Sequence, residues 1–228
     1  MTVLDNLQQI NVKVEQACEK VKRNSDEITI IGVTKYVTIE RTEELIATGI
    51  NNLGENRTEE FLHKYDSIGE RANWHFIGTL QSRKVKDVID KVQVIHSLDR
   101  LSVAKQINNR STETIDCFVQ VNVSREDAKH GLEEDEVLQF IQELEAFEKV
   151  RVIGLMTMAP HIKDKEEIRV VFRRLAQLRD MIASEKLPHA PCTQLSMGMS
   201  NDYDIAIEEG ATHIRIGSEL VGSTNDSR

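Results

Sequence analysis

The stretch ITIIGVTKYVT, residues 28–38, decides the fold. Its β-branched residues run without the polar alternation of a half-wet strand, so it reads as a strand buried on both faces, the signature of a parallel sheet covered by helices. It then ends on Lys35. A cation at the end of a buried strand needs a partner or a reaction to hold it there.

Working outward, the same texture recurs in CFVQVNV (117–123) and VRVIGLM (150–156). Strands are expected near 28–34, 50–54, 74–78, 92–96, 115–123, 150–156, 193–197 and 212–216. Helical periods fill the gaps, near 39–48, 56–66, 81–90, 99–109, 133–147, 164–184 and 200–209. The clearest is EEIRVVFRRLAQLRDMIAS, in which Ile168, Val171, Phe172, Leu175, Leu178 and Ile182 form one apolar stripe. Residues 2–22 make a further amphipathic helix ahead of the first strand, through Val3, Leu7, Ile10, Val14, Ala17, Cys18 and Val21.

Alternating strands and helices with short connections predict an α/β fold, a closed (β/α)8 TIM barrel, with an open doubly wound sheet as the rival. The chain, 228 residues with three prolines and no low-complexity linker, reads as one domain over 1–228, its barrel spanning about 28–222.

Composition narrows the function. A net charge of −9 and 4% aromatic residues disfavour nucleic acid as a partner. No run approaches the 18 apolar residues of a membrane span, and the N-terminus lacks the apolar core of a signal peptide. Cys18, Cys117 and Cys192 lie far apart, which fits a reducing, cytoplasmic compartment better than a disulfide framework or a thiolate zinc site. His96, His130, His161 and His213 form no HxxxH or HxH pair, so no metal is expected. With no strong exposed apolar stripe, a monomer is expected.

In a parallel barrel the chemistry sits at the C-terminal ends of the strands. Lys35 is at one, and the others carry GENR (54–57), HFIG (75–78), HSLDR (96–100), GLMTMAP (154–160), LSMGMS (195–200) and IRIGS (214–218). Loops after strands seven and eight commonly bind phosphate, and SMGMSND and RIGS supply hydroxyls, glycines and an arginine. A lysine facing a phosphate pocket can form an imine with an aldehyde cofactor, and pyridoxal 5′-phosphate carries both groups. Lysine's ordinary pKa of about 10.4 requires partial desolvation or a nearby cation to free the amine. Arg215, on the strand that closes against the first, is placed to be that cation. Facing the cofactor's ring nitrogen, it would donate to an unprotonated ring, a weaker electron sink.

Plainer readings stand beside these. Lys35 alone is an ordinary snorkelling lysine at a barrel rim, and Arg215 alone could pair with Asp202 or Asp204. His75, next to Trp74 in an apolar run, reads as a hydrogen-bonded core histidine. GENR reads equally as a strand-to-helix turn, and Met156, Met158, Met197 and Met199 as packing. QSRKVKDVIDK reads as a solvated helix face.

The stretches VTKYV, LGENRTEEF, WHFIGTLQSRKVKDV, HSLDR, VNVSREDAKHG, GLMTM and LSMGMSNDYDIAIEEGATHIRIGSELVG, in that order, resemble the pyridoxal phosphate homeostasis proteins, also called the YggS or proline-synthetase-co-transcribed family, over nearly the whole chain. The resemblance implies a barrel of the alanine-racemase N-terminal type that binds pyridoxal phosphate through an imine to Lys35. It implies that Arg215 partners the ring nitrogen, that Ser196, Ser200, Gly217 and Ser218 contact the phosphate, and that Asn56, His75, Met156 and Met197 wall the pocket. Thr34 stands where members often have serine, IGTLQSRK where they have IGHIQSNK, and GSELVG where they have GSTIFG.

The function expected is that of a carrier in vitamin B6 and amino-acid homeostasis, holding the cofactor without turnover for enzymes that accept it. The alternative is a pyridoxal-phosphate amino-acid racemase, whose second proton carrier would have to be Tyr36 or Tyr203, since the chain ends soon after the last strand. A third reading is a phosphate-dependent barrel enzyme in which Lys35 is a simple charge partner.

Overall fold

The computed structural model describes residues 2–125, 130–160 and 162–222. His161 and part of VNVSREDAKHG lie outside them. Along the chain run α1 (Val3–Lys20), β1 (Thr29–Val33), α2 (Ile39–Ala47), β2 (Asn52–Glu55), α3 (Thr58–Ile68), β3 (Asn73–Phe76), α4 (Val85–Val88), β4 (Val94–Leu98), α5 (Leu101–Arg110) and β5 (Ile115–Gln120). There follow α6 (Val137–Glu143), β6 (Val150–Met156), α7 (Lys165–Ser184), β7 (Gln194–Met199), α8 (Tyr203–Glu208), β8 (His213–Ile216) and α9 (Ser218–Val221).

The strands pair in sequence order and all in parallel, and the ring closes where β8 pairs with β1, Thr29 opposite His213 and Ile31 opposite Arg215. That last pairing separates the barrel from an open sheet, whose first and last strands would not meet. It also puts residues from the two ends of the chain side by side.

Each strand sends alternate side chains outward and inward. The outward set, among them Leu53, Trp74, Ile95, Cys117, Val119, Leu155 and Ile214, packs with the helices into one large core. A second, smaller cluster of Phe118, Ile153 and Met156, with Val94 and Met158 against it, draws only on strands and their ends and fills the barrel interior.

α1 begins on a reciprocal cap, with Thr2 and Asp5 bonding each other's backbone N–H groups. Its expected stripe is buried from Val3 to Cys18, with α8 and α9 as neighbours, whereas Val21 falls past the helix end as its C-cap and is exposed. In α7 the Asp164 carboxylate accepts from the N–H groups of Glu166 and Glu167, and the expected stripe from Ile168 to Ile182 is buried.

Two expected helices are shorter than their patterns. Over 81–90 the chain makes a 3-10 turn, Ser82–Lys84, before α4, because apolar spacing begins only at Val85. Over 133–147 the first residues form turns in which Glu136 accepts from the Glu133 N–H, and the end tightens into a 3-10 turn, Leu144–Ala146. Among the described residues, no helix is long and apolar enough to cross a membrane.

Candidate functional site

In β1 the inward row is Ile31 and Val33, and two residues further comes Lys35. The strand itself stops at Val33, Thr34 is the last buried residue, and Lys35 falls in the following turn, exposed to solvent. The sequence reading placed the lysine at a buried strand end. Here, exclusion of water from its amine has to come from whatever occupies the pocket.

The turn is held from below. Glu55, at the end of β2, and Lys64, in α3, form a buried ion pair at 2.6 Å with side chains 0% and 5% exposed. Lys64 also donates to the Thr34 carbonyl at 2.5 Å, and the Thr34 hydroxyl donates to Glu55 Oε1 at 2.6 Å. Burial raises the pKa of Glu55, while the Lys64 ammonium and the Thr34 hydroxyl pull the other way. The residue preceding Lys35 is thus fixed through both its backbone and its side chain.

The turn's other side is open. Tyr36 has a left-handed backbone, φ 67°, and is 49% exposed. Two cations approach its ring, Lys35 Nζ at 5.7 Å and the Arg57 guanidinium at 5.4 Å from the centroid. A non-glycine residue in this region is strained, and such strain collects at functional sites.

Lys35 and Arg215 border one cavity of about 560 Å³ at the C-terminal mouth of the barrel. Its wall includes Asn56, Ser200, Asn201 and Gly217. Gly78 is there by necessity, because a Cβ would lie 2.2 Å from the Asn56 carbonyl oxygen. At Gly217 a Cβ would meet only Val33, at 3.5 Å or more, so its missing side chain leaves room in the cavity rather than relieving a clash. Asn56 Oδ1 is buried and has no hydrogen-bond partner, an acceptor left for a ligand to satisfy. A larger, more open depression of about 700 Å³ lies between the start of α1 and α2, away from the strand ends.

Arg215 is buried at the floor, donating to Ser196 Oγ at 2.6 Å and to the Thr157 carbonyl at 2.9 Å. Burial lowers its pKa to about 10, with Asp202 acting against the shift, so it stays cationic at neutral pH. The Asp202 carboxylate itself accepts from the Met199 N–H at 2.6 Å and shapes the loop before α8.

Of the residues singled out from sequence, Lys35, Asn56, Ser200, Arg215 and Gly217 meet at the cavity. Ser218 follows Gly217 as the exposed first residue of α9. The other four lie elsewhere. Ser196 is buried beneath Arg215 and bonded to it, below the residues that line the cavity. His75 is likewise beneath the cavity, bonded to His96 at 2.9 Å, as the plainer reading had it. Met156 fills the interior cluster, and Met197 points outward into the core beneath the helices, because it alternates with inward Ser196.

Sequence reasoning missed several lining residues, among them Thr79, Gln120 and His130. It also missed the pair below the turn. One signal was available: Thr58, Phe61, Lys64 and Ile68 share the buried stripe of α3, so Lys64 stood where an apolar residue was due.

Three imidazoles lie under the cavity, those of His75, His96 and His213, with ring centroids 5.2 to 6.4 Å apart. Burial, then His213, lowers the pKa of His75 to about 3; burial, then Arg215, lowers that of His213 to about 4. In the unfolded chain both take up protons near their ordinary value of 6.5. The unfolded state therefore binds more protons in the window below 6.5, and stability falls as the pH drops. A loss on the order of 3 kcal/mol from His213 alone is expected by about pH 4, read as a falling denaturant midpoint. His213→Gln should flatten the slope.

The family model described as alanine racemase, N-terminal domain, matches residues 6–225. A pyridoxal phosphate homeostasis protein of Aquifex aeolicus is 38% identical over 229 residues, covering 97% of this chain and 98% of the relative. A solved structure of an unknown protein from Bifidobacterium adolescentis superposes with a TM-score of 0.91 at 28% identity, over 96% of this chain and 94% of that one. PipY of Synechococcus elongatus, solved with PLP bound, superposes with a TM-score of 0.80 at 26% identity, over 92% of this chain and all 100% of its own.

Proposed function

Because the chain belongs to the pyridoxal phosphate homeostasis family, within the wider family of alanine racemase N-terminal domains, we propose that it binds pyridoxal 5′-phosphate at the barrel mouth and holds it reversibly, as a carrier in vitamin B6 and amino-acid homeostasis. The observation that carries this reading is the pairing, in one cavity, of the exposed amine of Lys35 with the buried cation of Arg215. When bound, the cofactor supplies an aldehyde that condenses with an amine and a phosphate that anchors it.

The chain's own groups suit that ligand. Lys35 offers the amine, on a turn that the Glu55–Lys64 pair holds. Ser200, Asn201 and Gly217 offer hydroxyl, amide and backbone at one wall for an anion. Arg215 has donors and no acceptor, so a ring nitrogen facing it must accept and stays unprotonated. A weak electron sink favours holding the cofactor over proton abstraction at a bound amino acid.

Adding pyridoxal phosphate to the purified chain tests the reading. A saturable imine absorption band at one equivalent is the expected result; a spectrum equal to the sum of protein and free aldehyde would reject it.

Turnover is the second reading, and Tyr36 is the observation in its favour, since its ring centroid lies 5.7 Å from Lys35 Nζ. Tyr203 does not serve, being buried with its hydroxyl turned to Glu219 at 3.5 Å. Incubation with L- and D-alanine in deuterated water separates the two readings. Holding predicts no label at the α-carbon, whereas racemisation predicts label that Tyr36→Phe removes.

A further inference from the structure

Below Arg215 a string of hydrogen bonds crosses the barrel interior. Arg215 donates to Ser196 Oγ at 2.6 Å; Ser196 Oγ lies 2.8 Å from His96 Nδ1; His96 Nε2 lies 2.9 Å from His75 Nδ1; and His75 Nε2 lies 3.2 Å from Asn52 Oδ1. Ser196 and His96 are 0% exposed and His75 4%.

The positions of the protons follow from the ends. A guanidinium only donates, so Ser196 Oγ accepts from it. The Ser196 hydroxyl then has one proton of its own, and His96 Nδ1 is the acceptor within reach; left undonated in a site with no water contact, that proton would go unsatisfied. His96 therefore has an unprotonated Nδ1 and carries its proton on Nε2, which donates to His75 Nδ1. By the same step His75 carries its proton on Nε2 and donates to Asn52 Oδ1, an oxygen that also lies 3.4 Å from Asn73 Nδ2, a donor. Burial keeps both imidazoles neutral, as this arrangement requires.

We propose that Ser196, His96 and His75 form a one-way hydrogen-bond relay that positions Arg215, with both imidazoles held as Nε2–H tautomers. They are positioning residues, acting through Arg215 rather than on a ligand. The relay explains why a barrel interior, usually filled by branched aliphatic side chains, here gives the positions of Ser196, His96 and His75 to polar groups. It fixes the plane of the guanidinium from behind. It also leaves no route for a proton towards the cavity, because no group in the chain can donate back to Arg215. The tautomers are a property of the free protein, and only the consequence for pyridoxal phosphate rests on the function proposed above.

Two-bond proton–nitrogen correlation spectra of the nitrogen-15-labelled full chain, without ligand at neutral pH, test the relay directly. Expected are two buried histidines, each with an unprotonated Nδ1 and a protonated Nε2, assigned by their loss in His75→Gln and His96→Gln. A protonated Nδ1 on His96, or an imidazolium at either position, would overturn it. With ligand, Ser196→Ala should weaken retention of pyridoxal phosphate about tenfold while any adduct stays on Lys35. His96→Gln, which keeps an acceptor and a donor, should retain more ligand than His96→Leu, and equal retention by the two would count against the relay. Should the wild-type chain take up no ligand, the function fails while the tautomer result still stands or falls alone.

Discussion

Lys35→Ala protein is expected to show no imine absorption band at any concentration of pyridoxal phosphate, and borohydride should leave the ligand unattached. The expectation follows from position. Lys35 is the lysine that borders the barrel-mouth cavity among its described lining residues, on the inward row of β1 beyond Val33. The wall proposed for the phosphate, Ser200, Asn201 and Gly217, does not include it, so weak noncovalent uptake should survive, detectable by equilibrium dialysis. Lys35→Arg keeps the charge and the ring contact with Tyr36 but cannot condense, and should behave as the alanine variant does in the spectrum. A band of normal intensity in either variant would mean that another amine does the work.

The second large effect lies behind the turn. Lys64→Met is expected to destabilise the fold by about 3–5 kcal/mol, because it leaves the Glu55 carboxylate buried without its counter-charge. The penalty should shrink as the pH falls, since burial already favours the protonated form of Glu55 and an isolated carboxyl can neutralise itself. The double variant Glu55→Gln with Lys64→Met should recover most of the loss, as replacing both members of a buried pair costs far less than removing one. Urea titrations of the four proteins give the coupling between the two sites. Since Lys64 also holds the Thr34 carbonyl, the single variant should form the imine more slowly even where it is fully folded.

The fold was readable because its strands are buried on both faces. ITIIGVTKYVT, CFVQVNV and VRVIGLM carry that burial as continuous apolar runs, and the helices between them carry it as stripes, so both periods are written locally. What blurred was local competition at helix ends. Glu136 takes up the Glu133 N–H, and the 3-10 turn at Ser82–Lys84 replaces a first helical turn that has no apolar residue to bury.

The site divided along similar lines. Lys35 and Arg215 stand out in sequence as charges attached to buried strands, and the register of β1 and β8 brings both to one cavity. Ser196 and Met197 show what one residue of alternation does. The motif LSMGMS runs to the cavity wall, yet within it Ser196 turns inward under Arg215, Met197 outward to the helices, and only Met199 and Ser200 reach the cavity. The Glu55–Lys64 pair and the Ser196–His96–His75 string join residues from different elements; the misplaced charge of Lys64 in the α3 stripe hints at the first, but neither partnership itself is written in a local period.

The proposed carrier function rests on a bond between one lysine and one aldehyde. Borohydride reduction of the wild-type chain saturated with pyridoxal phosphate, followed by digestion and mass mapping, tests it most directly. A single reduced adduct on the peptide containing Lys35 is the predicted result. Label spread over surface lysines, or concentrated on a residue outside the barrel mouth, would contradict it.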